Sequence, residues 1–282
     1  MPAAADRVIF STEHVTIGAF RCAPDHPSFR NSGPISDDCF VFPRTTVVIQ
    51  HDNARAFVAD PTMVTLYNRG QKYERRAISA EGDRCDWFAV APGVLRDALL
   101  ERDPAAASSE RPIRFRHAPA DAPTYLAQRT LFLEAPRGEP LEIEERVVAL
   151  LERVLGQAYG PRRIELSAPR LPHAPDLADA AKHWMAPRVG QRLTLASIAG
   201  AIGCSAFHLC RCFHRATGMA LHAYRDAVRV RLALERLEDG EQDLSALALD
   251  LGYSSHSHFT AAFRRTFGTP PSDTRKLLIA RR

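Results

Sequence analysis

Ser205, His208, Phe213 and Gly218 recur as Ser255, His258, Phe263 and Gly268, every pair fifty residues apart. One copy of the pattern runs from Leu195 to Gly218 and the other from Leu244 to Gly268. Ser205 and Ser255 are the residue type that caps a helix N-terminus. Gly203 and Gly252 stand where a tight turn needs a residue that tolerates positive φ. Leu209 and Phe213 in one copy, Phe259 and Phe263 in the other, are four apart and so share a helix face. Each copy therefore reads as a supporting helix, a tight turn and a second helix anchored by two apolar residues. His208 and His258 belong to the packing and hydrogen-bonding set of those helices, not to a metal site. The outward residues differ: Phe207, Cys210, Arg211 and His214 in one copy, His256, Ser257, Thr260 and Ala261 in the other. These side chains suit the edges of base pairs, and Arg211 is the one that could grip a guanine with two hydrogen bonds. Arg215, Arg264 and Arg265 suit phosphates.

The charge distribution points to the same partner. Residues 177–282 hold 15 Lys and Arg against 9 Asp and Glu, a balance of +6; residues 1–176 hold 22 against 24, a balance of −2. The positive charge travels with the repeat, as a polyanionic partner requires.

The repeat resembles the AraC/XylS family of bacterial transcription regulators. The likeness covers 176–282 and is strongest from Ala248 to Pro271, Ala-Leu-Asp-Leu-Gly-Tyr-Ser-Ser-His-Ser-His-Phe-Thr-Ala-Ala-Phe-Arg-Arg-Thr-Phe-Gly-Thr-Pro-Pro. It implies two helix-turn-helix units joined by a long helix at 220–237, reading adjacent major-groove segments of promoter DNA. The family's base-reading positions fall on Phe207, Cys210, Arg211, His256, Ser257, Thr260 and Ala261. Ala261 stands where many members carry a longer polar side chain, so the second helix is expected to add affinity and shape reading more than base hydrogen bonds. RNA polymerase is the expected protein partner, and activation the expected outcome.

The elements that position these residues are readable by period. Between 176 and 282 the caps and apolar spacings predict seven helices. Short β-branched and aromatic runs at 15–20, 39–42, 45–49, 55–58, 63–67 and 84–88, separated by Pro, Gly, Asn and Asp, predict a sandwich or small barrel. Helical patterns follow at 92–102, 124–134 and 140–159. The expected class is therefore α+β in two domains: a β-barrel or sandwich with following helices at 1–166, a Pro-rich linker at 167–175, and an all-α domain with two helix-turn-helix motifs at 176–282. By resemblance the first domain is cupin-like, a sensor of a small-molecule effector. Tyr67, Arg69, Tyr73 and Trp87 are the candidate pocket residues, with ordinary strand packing as the alternative. Val147, Leu150, Leu151, Val154 and Leu155 form a stripe at 141–158 that would be exposed on a monomer and so predicts a two-fold homodimer interface; packing on the chain's own barrel is the competing expectation.

Several function classes are disfavoured. No run of about 18 apolar residues exists and the first residues lack an apolar signal core, so a cytoplasmic protein without a membrane span is expected. No HxH pair is present in the strand region, and no cofactor, catalytic residue or metal ligand is assigned. The six cysteines show no CxxC spacing and read as free thiols. Cys22, Cys39 and Cys85 leave open a thiol or metal sensor inside the barrel. Two other readings also stay open: a first domain that only dimerises, and a cupin-type metal enzyme fused to a DNA-binding domain.

Overall fold

The computed structural model describes residues 5–52, 54–160 and 174–280. The chain divides into two compact units, 1–167 and 168–282. Of the expected linker, residues 167–173 lie outside the described residues. Ala174 and Pro175 do not belong to it, because a helix already begins at Ala174.

Unit 1 holds β1 (Ala5–Ser11), β2 (Val15–Cys22), β3 (Asn31–Ser32), β4 (Asp38–Pro43), β5 (Val47–His51), β6 (Phe57–Ala59), β7 (Met63–Tyr67), β8 (Tyr73–Ala77) and β9 (Asp83–Val90). After them come α1 (Pro92–Leu100), α2 (Pro104–Ala107), β10 (His117–Pro119), α3 (Ala122–Glu134) and α4 (Pro140–Tyr159). The strands form a six-stranded sheet, β1-β2-β9-β4-β7-β10, and a four-stranded sheet, β3-β8-β5-β6. Every pairing is antiparallel. This is the expected double-sheet architecture.

Strand alternation divides the larger sheet into two faces. Cys39, Val41 and Pro43 on β4, with Cys85, Trp87 and Ala89 on β9, face the space between the sheets. Phe40, Phe42 and Phe88 face the other way and pack ring against ring, Phe40 stacked on Phe88 at 5.3 Å. The helices cover that second face. Arg129 of α3 ion-pairs with Asp86 of β9 there, and Arg44 reaches the same carboxylate at 4.0 Å. α3 and α4 are antiparallel: Arg146 donates to Glu134 at 2.6 Å and Gln157 to Thr124 at 3.0 Å.

The apolar stripe of α4 is spent inside this unit. Val147, Leu150, Leu151, Val154 and Leu155 are all buried within the single chain. The exposed large apolar residues of α4 are Leu141 and Val148, which flank the stripe on its Leu155 side. The expectation that these five residues form a dimer interface is therefore corrected in favour of its competitor. The helix covers its own sheet, which is the ordinary way for an amphipathic helix to lose water from one face.

β1, β3, β8 and β10 were not foreseen in the sequence. β8 explains why: its inward positions are Tyr73 and Arg75, so a buried arginine sits where alternation would call for an apolar residue.

Unit 2 is all-α among its described residues: α5 (Ala174–Met185), α6 (Leu195–Ile202), α7 (Ala206–Thr217), α8 (Leu221–Glu238), α9 (Leu244–Asp250), α10 (His256–Phe267) and α11 (Pro271–Ala280). These are the seven expected helices. The first half closes on Ala178, Ala181, Met185, Ile198, Leu209, Phe213, Tyr224 and Val228. The second half buries Leu247, Leu251, Phe259, Phe263, Phe267 and Leu278. Among the described residues no single helix is long and apolar enough to cross a membrane.

Candidate nucleic-acid interface

Each recognition helix is set by its caps. Ser205 Oγ accepts from the His208 amide at 3.2 Å, and Ser255 Oγ from the His258 amide at 3.1 Å. α7 and α10 both end on a left-handed glycine, Gly218 and Gly268. The supporting helices are capped differently: Thr194 and Ser197 form a reciprocal capping box on α6, while Asp243 accepts from the Ser245 and Ala246 amides on α9. The turn glycines Gly203 and Gly252 both have φ of 76°.

Gly252 has a second duty. A Cβ there would lie 2.1 Å from the Gly190 carbonyl oxygen and 2.4 Å from the Arg229 guanidinium. Gly190 and Gly252 bring the two halves of the unit together backbone against backbone at this point. α8 closes the joint: the Nε groups of Arg225 and Arg229 both donate to the Val189 carbonyl, at 3.2 and 2.9 Å, and Arg229 lies over the Tyr253 ring. Sequence spacing marked Gly252 as a turn residue but could not show this contact.

The outward residues of α7 are where the spacing placed them. Phe207 is 73 % exposed, and Cys210, Arg211 and His214 are exposed beside it. The Arg211 guanidinium rests over the Phe207 ring at 5.6 Å. Arg215 is half-buried. On α10, His256, Ser257 and Ala261 are exposed and share one shallow open depression with Thr260, Arg264 and Arg265. Thr260 differs from the expectation in one respect. The residue is half-buried, and its hydroxyl is buried and without a hydrogen-bond partner. Arg265 is largely exposed but lies 3.6 Å from Asp226. His208 and His258 make local contacts, to Cys212 Sγ at 3.5 Å and Ser254 Oγ at 3.1 Å.

Unit 1 carries a separate feature, a cavity of about 360 Å³ between the two sheets. Tyr67, Tyr73 and Trp87 line it, as the sequence suggested. Arg69 does not: it is exposed in the turn after β7, with its backbone amide donating to Asp38 at 2.9 Å. The arginine of the cavity is Arg75, 2 % exposed and bound to Asp83 at 2.6 Å. Inward alternation from Tyr73 was the signal that could have found it. Cys39 and Cys85 also line the cavity, and Cys22 is buried. Burial pushes all three thiols up, which suppresses the reactive thiolate. Among the described residues no group of three or more His, Cys, Asp or Glu is placed to hold a metal.

Two matched helix-turn-helix units in one compact body define a double helix-turn-helix DNA-binding regulator. A helix-turn-helix domain model matches residues 198–277. Regulatory protein SoxS of Salmonella typhimurium is 35 % identical over 95 residues, covering 34 % of this chain and 89 % of that protein. A putative AraC-like transcription regulator of Streptomyces lividans is 32 % identical over 98 residues, covering 35 % of this chain and 29 % of that protein. Among solved structures, apo ToxT from Vibrio cholerae aligns over 95 % of this chain and 99 % of that one, at 10 % identity and a TM-score of 0.42. The chain belongs to the AraC/XylS family of DNA-binding transcription regulators.

Proposed function

We propose that this protein is a cytoplasmic, sequence-specific activator that binds promoter DNA through α7 and α10 and answers to a small molecule held in unit 1. The carrying observation is the pair of recognition helices: equivalent caps and buried anchors, with different exposed residues on each. Such a pair reads two unlike sites on one duplex, about one helical turn (~34 Å) apart. α7 supplies base reading through Arg211, backed by Phe207. α10, with Ala261 outward, supplies fit and phosphate contacts. RNA polymerase is the natural partner of a protein that marks a promoter. Catalysis is not part of this reading.

The cavity in unit 1 favours sensing over a purely dimerising domain. It is of ligand size, and it combines apolar walls with a few convergent polar groups. The buried α4 stripe gives no support to a dimer through that helix.

Selection of genomic fragments on the full chain, followed by footprinting, tests the DNA reading. Two protected major-groove segments about 10 base pairs apart are expected. Protection of a single segment, or binding without sequence preference, would overturn the two-helix reading. A small-molecule thermal-shift screen tests sensing, with ligand-dependent transcription from the selected promoter as the functional readout.

A further inference from the structure

The cavity of unit 1 carries a charge pattern that narrows its ligand. Its charged lining is Asp6, Asp37, Asp83 and Arg75, three carboxylates against one guanidinium. Arg75 is already committed. Nε donates to the Phe29 carbonyl at 3.1 Å, Nη1 to Asp83 at 2.6 Å, and Nη2 to the Ser28 carbonyl at 3.3 Å and to the Ser32 hydroxyl. Its flat cation lies over the rings of Phe20, Tyr73 and Phe29, at 4.2, 5.4 and 5.6 Å. An anionic ligand would have to displace Asp83 to reach it. The Arg75–Asp83 pair cancels, and the carboxylates of Asp6 and Asp37 remain.

Trp87 adds the second half of the pattern. Its indole lies across Gly18, where a Cβ would sit 2.2 Å from the ring, and its Nε1 donates to Asp6 at 2.8 Å. Glycine at 18 is what lets the ring lie flat and span β2. One ring face is against the strand and the N–H is used; the residue packs beside Cys39, Tyr67 and Ala89 and lines the cavity. Asp6 holds the ring in place and keeps a negative charge at its edge.

We propose that this cavity takes a small protonated amine or quaternary ammonium with an apolar body, the cation seated on Trp87 and facing Asp6 and Asp37, the body among Val41, Val47 and Ile49. The inference rests on the sensing role given to unit 1 above. Indole is the strongest aromatic partner for a cation, and carboxylates at its edge deepen the negative potential there.

The test uses three probes of one shape on the full chain: phenylpropylamine, phenylpropanol and phenylpropanoate. Thermal shift reads binding. Fluorescence of Trp87, isolated by Trp184→Phe, reads its location. The amine is expected to bind roughly threefold to thirtyfold tighter than the alcohol, from the usual range of cation–π strength, and the carboxylate weakest. Asp37→Asn, on the exposed rim, should shrink the preference for the amine while leaving the affinity of the alcohol unchanged. Trp87→Leu should abolish the preference. If the alcohol or the carboxylate binds as tightly as the amine, the cation assignment is overturned while the sensing role stands. If none of the three shifts the melt or Trp87 emission at millimolar concentration, the cation assignment falls, and a wider ligand screen that also fails takes the sensing role with it.

Discussion

At the scale of single residues, Arg211 and Arg265 separate two kinds of contact. Arg211 stands free on α7 except for the Phe207 ring beneath it, so its donors are available to a base edge. Loss of a bidentate guanine contact costs about 1–3 kcal/mol of discrimination. Arg211→Ala should therefore relax preference at one base-pair position, read from binding to a randomised operator. Arg265→Ala should weaken all sequences alike and lower the salt slope by about 1; uniform loss from Arg211→Ala would move that residue to the phosphate class. His51 gives a second residue-level outcome. It is buried against Phe57, Tyr67 and Tyr73, and burial, helped by Arg116, lowers its pKa to about 4. The folded state keeps it neutral while an unfolded chain protonates it near pH 6.5. Its contribution to stability is thus complete above pH 6.5 and is lost as pH falls toward 4, by about 3 kcal/mol at most. His51→Phe should remove that part of the acid slope, measured as wild type minus variant in denaturant melts from pH 7 to pH 4. Parallel curves for the two proteins would mean that His51 titrates normally in the fold.

Elements decide what the same residues are for. The α4 stripe is legible in the sequence as apolar, but its partner is not, because a stripe facing a sheet and a stripe facing another chain have the same period. The structure resolves the choice through Arg129–Asp86 and the antiparallel α3–α4 pair, which place the helices on the phenylalanine face of the larger sheet. Leu151→Ala should therefore cost unit 1 about 2–5 kcal/mol, the range for a buried leucine, without changing the association state. Leu151→Glu should unfold the unit. A folded, newly monomeric Leu151→Glu protein in sedimentation would restore the interface reading. The helix-turn-helix elements were far more legible, since serine caps, turn glycines and i, i+4 anchors are all local signals. Arg75 and β8 were harder to read, because the buried charge is stabilised largely by partners from 28–32, more than forty residues away, that no local window contains. The Gly190–Gly252 contact was hidden for the same reason: it joins segments sixty residues apart.

On the scale of the whole molecule, the two units divide the charge. The +6 balance of residues 177–282 sits with the recognition helices, and the −2 balance of residues 1–176 sits with the cavity. A polyanion draws the first and gains nothing from the second. Phosphate contacts should then come from unit 2 alone. With Arg215, Arg264 and Arg265 as the candidates, log K against log salt should fall with a slope near −2.7, taking roughly 0.9 per neutralised phosphate of duplex DNA. The full chain and a 174–282 fragment should give the same slope on the same operator. Fluorescence anisotropy from low to moderate salt measures both. The comparison also tests assembly independently of any helix: two copies engaging one operator would double the slope of the full chain while leaving that of the fragment unchanged. Equal slopes would mean that one molecule, through one unit, makes the whole electrostatic contact with DNA. A slope for the full chain shallower than that of the fragment would mean that the acidic unit lies close enough to the duplex to repel it.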